Sequence, residues 1–285
     1  MSITPAPELS GVESIEELTD FFLGRRVVAV TGAGCSTESG IPDYGGLHSD
    51  RRRRTVQYKP FVTEPEIRRR YWARSTVGWN RVADAKPNEA HIALAKLEKM
   101  GVVRGVITQN VDGLHQRADQ NSVVELHGSL SRVRCLKCDG VEPRSGFQER
   151  LLAANPQFRP GSTVAAPDGD AELELSEVES FSVPSCLVCK GVLKPDVVFF
   201  GESIPKPRVD SAWALYENAD VLLVAGSSLA VFSGFRFVLR AHKENRPVAI
   251  INAGPTRGDG HAALKVNASV GDTLARVAAR FAQEV

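Results

Sequence analysis

Five short apolar segments constrain the fold of this chain more than any other feature. Each is rich in β-branched residues and ends in small or polar residues. The segments are RVVAVTG at 26–32, VVRGVITQN at 102–110, DVVFFGE at 196–202, VLLVAGSS at 221–228 and VAIINAG at 248–254. Continuous rather than alternating apolarity indicates strands that are buried on both faces, as in a parallel sheet covered by helices.

Segments with helical periodicity separate or follow these strands. They lie at 88–100, 208–219, 234–245 and 273–284. Strands that alternate with helices predict right-handed βαβ units. The sequence therefore predicts an α/β fold, a doubly wound parallel sheet of the Rossmann-like kind.

The strand ends carry polar groups that point to a ligand. TGAG, TQNVD, GSS and NAG each follow an apolar run, and ligands of doubly wound sheets bind outside the carboxyl ends of the strands. An interpretation as simple turns explains the glycines but not the Asn, Gln, Asp and Ser beside them. We therefore expect one crevice that binds a nucleotide cofactor.

The first strand end departs from the usual dinucleotide fingerprint. Gly32 and Gly34 match G-x-G-x-x-G, but Thr37 occupies the third glycine position and the irregular segment SGIPDYGG follows. This pattern predicts a phosphate-binding turn that continues into a polar loop instead of a regular helix. Thr37 also weakens an interpretation of the chain as a dehydrogenase.

Four of the five cysteines form two C-x-x-C pairs. The pairs are Cys135 with Cys138 and Cys186 with Cys189, in turn-prone surroundings. Four thiolates favour one tetrahedral, structural zinc ion with no open position, in a smaller zinc-binding domain. A redox role and an empty or oxidised site remain alternatives.

The fifth cysteine and most histidines show no such pattern. Cys35 has no His or Asn near it in sequence and is expected to be a packing residue. Five histidines lack ligand spacing and stay unassigned: His48, His91, His115, His242 and His261.

These patterns predict the domain organisation. Residues 1–24 form an N-terminal helical region, 25–127 with 196–285 the Rossmann-like domain, and 128–195 the zinc-binding domain. The basic, aromatic segment 45–86 forms a cofactor loop and a helical insert.

The net charge of +1 gives no strong nucleic-acid signal, and no apolar run approaches the ~18 residues of a membrane-spanning helix. With no signal-peptide or transit-peptide pattern at the start, a cytoplasmic protein is expected.

His127 is the best candidate for a catalytic base. It lies in ELHGSL, between the predicted sheet and the first cysteine pair, and shortly after the polar segment ITQNVDGLHQRAD. A histidine near an apolar run is often a core residue. A neutral imidazole over a cofactor crevice is also the natural acceptor of a hydroxyl proton.

Several motifs together resemble the sirtuin family. GAGCSTESGIPDY, TQNVDGLH, ELHG, KPDVVFFGE, AGSSL and INAGPT occur in the family's order with the paired cysteines, over about residues 25–275. The segments RRRYWARSTVGW, PRSGFQERLLAANPQF and APDGD are similar to the class II branch. That branch includes the mitochondrial lipoamidase-like sirtuin of animals and related bacterial proteins.

The resemblance implies an enzyme that uses NAD as co-substrate to remove acyl groups from protein lysines. Nicotinamide and 2′-O-acyl-ADP-ribose are the implied products, with His127 as base and Asn110 ordering water and ribose hydroxyls. The implied NAD-binding residues include the amides of the glycine turn, which hold the pyrophosphate. The implied set is Gly32, Ala33, Gly34, Ser36, Ser39, Ile41, Pro42, Asp43, Tyr44, Gln109, Asn110, Val111, Asp112, Gly226, Ser227, Ser228, Asn252, Ala253, Gly254 and Val270.

The resemblance also implies how acyl-lysine proteins bind. The substrate peptide adds as a strand along the DVVFFGE segment, at Val198, Phe199, Phe200, Gly201 and Glu202. Tyr71 and Arg74 fall where acid-preferring sirtuins bind an acyl carboxylate, which suggests dicarboxylic or branched acyl groups. The alternative is that Tyr71 is a core residue and Arg74 part of a solvated basic run.

Two alternative functions remain for the whole protein: mono-ADP-ribosyl transfer, and a non-catalytic sensor of NAD or ADP-ribose.

One position departs from the family's pattern. An arginine commonly follows the aromatic residue of the cofactor loop, whereas this chain has Gly45 and Gly46 after Tyr44. Two glycines make the loop more flexible and remove a cation near the pyrophosphate. We expect weaker NAD binding, which Gly45→Arg should tighten.

Overall fold

A large parallel sheet forms the centre of the molecule. The computed structural model describes residues 8–9, 12–43, 56–158 and 178–283. Within these residues the sheet has seven strands. They are β1 (Glu8–Leu9), β2 (Val27–Thr31), β3 (Val103–Thr108), β4 (Val123–Glu125), β8 (Val221–Ala225), β9 (Val248–Ile251) and β10 (Leu264–Val266).

The strand order contains a topological switch point. The order is β1-β10-β9-β8-β2-β3-β4, and all neighbouring strands are parallel. After β2 the chain builds one half of the sheet, through β3 and β4, and then returns to build the other half from β8 outward. The crevice outside β2 and β8 is therefore where a doubly wound sheet binds ligands. This arrangement confirms the predicted fold class.

Helices cover both faces of the sheet. The nine helices within the described residues are α1 (Val12–Phe22), α2 (Tyr58–Thr63), α3 (Pro65–Asp84), α4 (Glu89–Lys99), α5 (Leu114–Arg117), α6 (Arg144–Ala154), α7 (Lys206–Glu217), α8 (Phe232–Lys243) and α9 (Val270–Phe281). Val27 and Ala29 pack with α1, α4 and α9, whereas Val28 and Val30 pack with α7 and α8. Successive residues of β2 thus enter different cores, which explains its unbroken apolarity. Among the described helices, none combines the length and apolarity needed to cross a lipid bilayer.

A second, smaller sheet carries the cysteine pairs. It consists of β5 (Gly128–Cys135), β6 (Val141–Pro143) and β7 (Leu193–Val197), in the antiparallel order β6-β5-β7. Its core includes Trp72 of α3, which packs edge-to-face on Phe147 of α6 at 4.7 Å and donates from Nε1 to the Leu193 carbonyl at 3.2 Å. Part of the 45–86 insert therefore packs with the small sheet.

The expectation that DVVFFGE forms a strand of the parallel sheet is wrong. The strand β7 pairs antiparallel with β5 in the small sheet and runs across the boundary expected between residues 195 and 196. All five of its residues are buried, but its sequence, LKPDV, is not continuously apolar, and only Asp196 and Val197 of the DVVFFGE segment belong to it. The short strands β1, β4 and β10 have two or three residues, too few for periodicity to reveal.

Candidate active site

The turn after β2 lies at the switch point. Two short 3₁₀ segments, Ala33–Cys35 and Thr37–Ser39, take the place of a Rossmann helix. The amides of Gly32 and Gly34 donate to the carbonyls of Ala225 and Gly226 at 3.3 and 2.9 Å. This differs from the expectation that both amides are free for a pyrophosphate, because the turn after β8 occupies them.

The glycines allow the two turns to touch. A Cβ at Gly32 would lie 2.7 Å from the Cβ of Ser227. Gly226 has a φ of +62°, and a Cβ there would lie 2.3 Å from the amide nitrogen of Cys35. Contacts this short exclude any side chain, so these positions require glycine for close backbone approach.

A polar network connects the first turn to the loop after β3. Nδ2 of the Asn110 side chain donates to the Gly32 carbonyl at 2.9 Å and to Ser36 Oγ at 3.0 Å. Ser36 in turn donates to Asp112 Oδ2 at 2.8 Å, and the Leu114 amide donates to Asp112 Oδ1 at 2.9 Å. Burial raises the pKa of Asp112, although these hydrogen bonds oppose the rise. The structure thus brings together four residues that the sequence assigned to the cofactor.

A second connection joins the β3 loop to the turn after β8. Nε2 of the Gln109 side chain donates to Ser227 Oγ at 2.8 Å. The same oxygen accepts from the backbone amide of Leu229 at 3.2 Å. Gly234, which sequence reasoning missed, packs against this contact: a Cβ there would lie 2.5 Å from Gln109 Oε1. The backbone of Val111 is bonded to the small sheet, because its carbonyl accepts from the backbone amide of Leu130 in β5 at 2.8 Å.

The turn after β9 forms the far end of the crevice. Nδ2 of the Asn252 side chain donates to the carbonyls of Ala253 and Gly254 at 3.2 and 3.1 Å, and this side chain is largely buried. Ser228 is exposed, whereas Val270 is buried at the start of α9. Asn252, Ala253 and Gly254 are thus joined by hydrogen bonds within their own turn, which flanks the crevice.

The loop that follows the first turn is described up to Asp43. Ile41 is buried, Pro42 and Asp43 are partly buried, and the buried Ser39 hydroxyl has no partner within the described residues. Tyr44, Gly45, Gly46 and the arginines 51–54 lie outside the described residues. The expectations for Tyr44 and for Gly45→Arg therefore stay predictions.

His127 lies between the two sheets and its hydrogen bonds determine its tautomer. Nδ1 lies 2.9 Å from the Gln109 carbonyl oxygen, which can only accept, so Nδ1 carries the proton in the neutral ring. Nε2 is then the lone-pair nitrogen and accepts from Ser233 Oγ at 2.7 Å. Burial lowers the pKa of His127, the Gln109 bond opposes this, and the positive charges of Arg236 and Arg208 lower it further. His127 is therefore a neutral base.

Two features keep His127 in place. Its carbonyl accepts from the Val198 amide at 2.8 Å, which links it to the segment after β7. Gly128 follows with a φ of +86°, and a Cβ there would lie 1.9 Å from the Asp196 carbonyl oxygen. Ser233 was not found from the sequence; its position at the start of a helix after the GSSL turn was the available signal.

The four paired cysteines form one cluster. Their sulfur atoms all lie within 4.8 Å of one another, with 3.4 Å between Cys135 and Cys189 and 3.8 Å between Cys138 and Cys186. Tetrahedral zinc with Zn–S bonds of about 2.3 Å needs sulfurs about 3.8 Å apart, so the donor set fits a zinc ion.

The two cysteine turns have the same backbone geometry. The fourth residue after each first cysteine, Asp139 or Lys190, has a φ of 56° or 58° and donates its amide back to that cysteine's carbonyl. In the first turn the Lys137 amide also donates to Cys135 Sγ at 3.4 Å. Because protein sulfurs supply all four donors, the site is structural.

The expected substrate segment is divided between core and surface. Phe199 is buried, whereas Phe200 is 45% exposed and its carbonyl accepts from the Tyr58 amide at 2.9 Å. Glu202 accepts from the Phe199 amide at 2.8 Å and forms an ion pair with the buried Lys194 at 2.9 Å. These contacts fix the segment from Val198 to Gly201, which has a φ of +79° at the glycine.

Tyr71 and Arg74 lie on α3 at different depths. The Tyr71 ring is buried edge-to-face against Phe61, Trp72 and Phe199, and Arg74 is partly exposed. The aromatic contacts connect Tyr71 to the expected substrate segment through Phe199. The ring of Tyr71 therefore packs as a core residue, and the carboxylate-binding role of the pair stays a prediction.

Comparisons with known proteins agree on one family. The model of the Sir2 family matches residues 32–233. An NAD-dependent protein deacetylase of Bordetella bronchiseptica is 48% identical over 270 residues, which cover 94% of this chain and 98% of that protein. The human mitochondrial NAD-dependent protein lipoamidase sirtuin-4 is 46% identical over 275 residues, which cover 95% of this chain and 88% of that protein.

Solved structures show the same similarity. A structure described as Sir2 with a p53 peptide and NAD+ has a TM-score of 0.75 and 32% identity, covering 93% of this chain and 98% of that one. A structure of Sir2 bound to an acetylated peptide has a TM-score of 0.73 and 31% identity, with the same coverage. The chain belongs to the Sir2 family, the sirtuins.

Proposed function

We propose that this protein is an NAD-dependent protein lysine deacylase. One observation supports this most strongly: His127 presents a lone-pair Nε2 beside the loop that holds Gln109, Asn110 and Asp112. A neutral base at a strand-end crevice suits proton removal from a sugar hydroxyl. The two relatives described above are named as an NAD-dependent protein deacetylase and an NAD-dependent protein lipoamidase, and such an activity is compatible with this geometry.

The residues of the β3 loop bind the nicotinamide end. Asp112 is held by Ser36 and by the Leu114 amide, so its carboxyl group keeps a fixed orientation toward a carboxamide. Asn110 links the Gly32 carbonyl to Ser36 and orders the ribose side of the crevice. When bound, NAD supplies a glycosidic bond whose cleavage releases nicotinamide and leaves ADP-ribose to accept the acyl group.

The turns after β8 and β9 bind the rest of NAD. Ser227 is oriented by Gln109, and its hydroxyl hydrogen is directed to the crevice because its oxygen accepts two hydrogen bonds. Ser227 and Asn252 bind the phosphates and the adenosine ribose. The glycines of both turns let the backbone approach the pyrophosphate closely, although the amides of Gly32 and Gly34 donate to the carbonyls of Ala225 and Gly226.

His127 transfers the proton of the acyl-transfer step. Substrate binding displaces the Ser233 hydroxyl from Nε2, and Nε2 then takes the proton of a ribose hydroxyl. The Gln109 carbonyl keeps the proton on Nδ1 and stabilises the imidazolium that forms. The exposed Phe200, together with Val231 and Phe232 at the start of α8, provides the apolar surface along which the substrate peptide lies.

Product analysis tests the proposal. The protein is incubated with NAD and acetyl-, glutaryl- or lipoyl-lysine peptides, and mass spectrometry measures O-acyl-ADP-ribose and free lysine. We expect the product with at least one peptide, and a loss of about 10²–10⁴-fold in rate for His127→Ala. His242→Gln, an exposed histidine, is the matched control and should keep full activity. ADP-ribosylated protein without any O-acyl-ADP-ribose would show mono-ADP-ribosyl transfer instead.

A further inference from the structure

A second cluster of metal-ligating side chains lies below the cofactor turn. Cys35 Sγ and one ring nitrogen each of His91 and His115 lie within 4.8 Å of one another. The three side chains are almost completely buried, at 1%, 0% and 1% exposure. None of them belongs to the four-cysteine site or to the residues assigned to NAD and substrate.

Three separate elements bring the cluster together. Cys35 lies in the first 3₁₀ segment, His91 in the first turn of α4, and His115 in α5. The positions are far apart in the chain, and the His91 and His115 rings are 4.7 Å apart at 60°. We refer to these three residues as the Cys-His-His cluster.

Asn88 determines which nitrogen of His91 is free. Its Nδ2 donates to the Cys35 carbonyl at 2.9 Å, and its Oδ1 accepts from the Ala90 amide at 2.9 Å, so the orientation of the amide is fixed. His91 Nδ1 lies 2.9 Å from that Oδ1, an acceptor, and 3.3 Å from the backbone amide of Asn88, a donor; the shorter contact favours the tautomer with the proton on Nδ1. Nε2 of His91 is then a buried lone pair, and it has no hydrogen-bond partner within the described residues.

His115 leaves a similar atom unpaired. Its Nε2 lies 2.9 Å from Thr31 Oγ1, and its Nδ1 is buried without a partner in the described part of the chain. In the tautomer whose Nε2–H donates to Thr31, Nδ1 keeps its lone pair. Unsatisfied buried polar atoms are rare and costly, so two of them beside one thiol indicate an absent ligand.

The chemistry of the donors favours a metal ion over a water molecule. A water would pair with two imidazole lone pairs but only weakly with sulfur, whereas a thiolate is a strong ligand of soft ions. Hydrogen bonds such as those of His91 with Asn88 and of His115 with Thr31 orient imidazoles that bind a metal ion. Side-chain movements of about 1 Å would bring the atoms to bonding distance of one ion.

We infer that the Cys-His-His cluster is a second metal site that takes one thiophilic ion, Zn²⁺ or Cu⁺. Binding converts the Cys35 thiol to a thiolate, and its proton leaves to solvent, so the metal–sulfur bond replaces the S–H bond. A Cu⁺–thiolate pair is neutral overall. A Zn²⁺–thiolate pair carries one positive charge, which the carboxylates of Asp112 and Glu38 balance, since both act electrostatically on Cys35. The positive charge of Arg117 near His91 adds to the positive charge of the ion instead of balancing it, and it lowers the pKa of His91.

Metal content of the full-length protein tests the site, without NAD or substrate. The purified chain is dialysed against buffered Zn²⁺, and bound metal is measured by elemental mass spectrometry. The four-cysteine site accounts for one equivalent. We expect a second equivalent in the wild type and in the control His242→Gln, and its loss in Cys35→Ser and in His91→Gln. Thermal unfolding shows whether each variant is folded, and two independent variants guard against a fold defect in one.

A copper arm distinguishes the two ions. Anaerobic titration with Cu⁺ in competition with a chromophoric chelator gives the number of tightly bound ions in the wild type and in Cys35→Ser. One additional Cu⁺ in the wild type, with no additional Zn²⁺, assigns the site to copper; the reverse assigns it to zinc. Equal counts for wild type and Cys35→Ser in both arms would overturn the inference and leave a packing cluster or a buried water. Because the assay contains no acyl peptide, this outcome is separable from any failure of deacylation.

Discussion

His127 Nδ1 lies 2.9 Å from the backbone carbonyl oxygen of Gln109, and this contact leaves Nε2 as the base. Gln109 also bonds to Ser227, so one residue orients the base and the phosphate-side hydroxyl together. His127 and the turn after β8 are therefore coupled through a single residue, Gln109, by its carbonyl group and its side chain. A change at any of them should alter both cofactor binding and proton transfer.

The acid limb of the pH–rate profile should report His127. Activity requires the neutral ring and falls as the pH drops through the pKa of His127, which burial lowers below the ordinary value of about 6.5. Ser233 donates to the neutral form, so Ser233→Ala should raise this pKa and shift the limb to higher pH. Measuring kcat/KM against pH for both proteins checks this. A limb that stays at the same pH in Ser233→Ala would contradict the assigned tautomer.

Gly128→Ala should destabilise the protein and impair catalysis. The new Cβ would lie 1.9 Å from the Asp196 carbonyl oxygen in a backbone conformation with positive φ. We expect a loss of at least about 2 kcal/mol in the free energy of unfolding and a lower kcat, because His127 must move. Gly146→Ala in α6 is the matched control, since its Cβ meets nothing within 4 Å. It should stabilise the helix by about 0.5–1 kcal/mol in urea unfolding.

Asp196→Asn should weaken the contact between β7 and its neighbours. Asp196 is buried and pairs with Arg132, Arg134 and Arg208 at 3.0, 3.1 and 2.7 Å. We expect a loss of about 2–3 kcal/mol, less than for a fully buried pair because Arg132 and Arg134 are partly exposed. The exposed Lys206–Asp210 pair provides the control: Asp210→Asn should change the free energy of unfolding by less than about 0.5 kcal/mol.

The pH dependence of the same variant gives a second check. Burial alone would raise the pKa of Asp196, but hydrogen bonds and charges from the three arginines outweigh it and lower the pKa. A depressed carboxyl pKa contributes stability above the unfolded value of about 3.9, and that stability is lost as the pH falls through the folded pKa. The difference between wild type and Asp196→Asn should therefore be largest near neutrality and shrink in acid. A constant difference would mean that packing, not charge, is responsible.

Arg74→Ala tests the acyl preference. If Arg74 binds an acyl carboxylate, the variant should lose glutaryl-lysine turnover by about tenfold or more and retain acetyl-lysine turnover, because a bidentate arginine–carboxylate contact is lost. Comparing kcat/KM for acetyl-, glutaryl- and lipoyl-lysine peptides measures this. Arg69, on the same helix but bonded to the Glu179 carbonyl at 3.0 Å, offers the control Arg69→Ala. Fastest turnover of acetyl-lysine, unchanged in Arg74→Ala, would reject the acidic-acyl hypothesis.

The structure corrects the sequence-based interpretation at particular places. The amides of Gly32 and Gly34 were expected to bind phosphate, yet they bond to the turn after β8, which no local pattern encodes. The run at 196–202 was assigned to the parallel sheet because it is apolar, yet only Asp196 and Val197 belong to a strand, β7, and Phe199 packs in the core beside the small sheet. Ser233 and Gly234 were missed since their contacts are with residues more than a hundred positions away.

The sequence by itself determined the α/β class, the cysteine quartet and the family. Periodicity and spacing are local properties, and β2, β3, β8 and β9 express them within four to six residues each. Only the tertiary structure decided which strands share a sheet, which nitrogen of His127 is the base, and that Cys35 meets His91 and His115. Those facts depend on long-range packing and on hydrogen-bond partners from separate elements, and a linear sequence does not specify either.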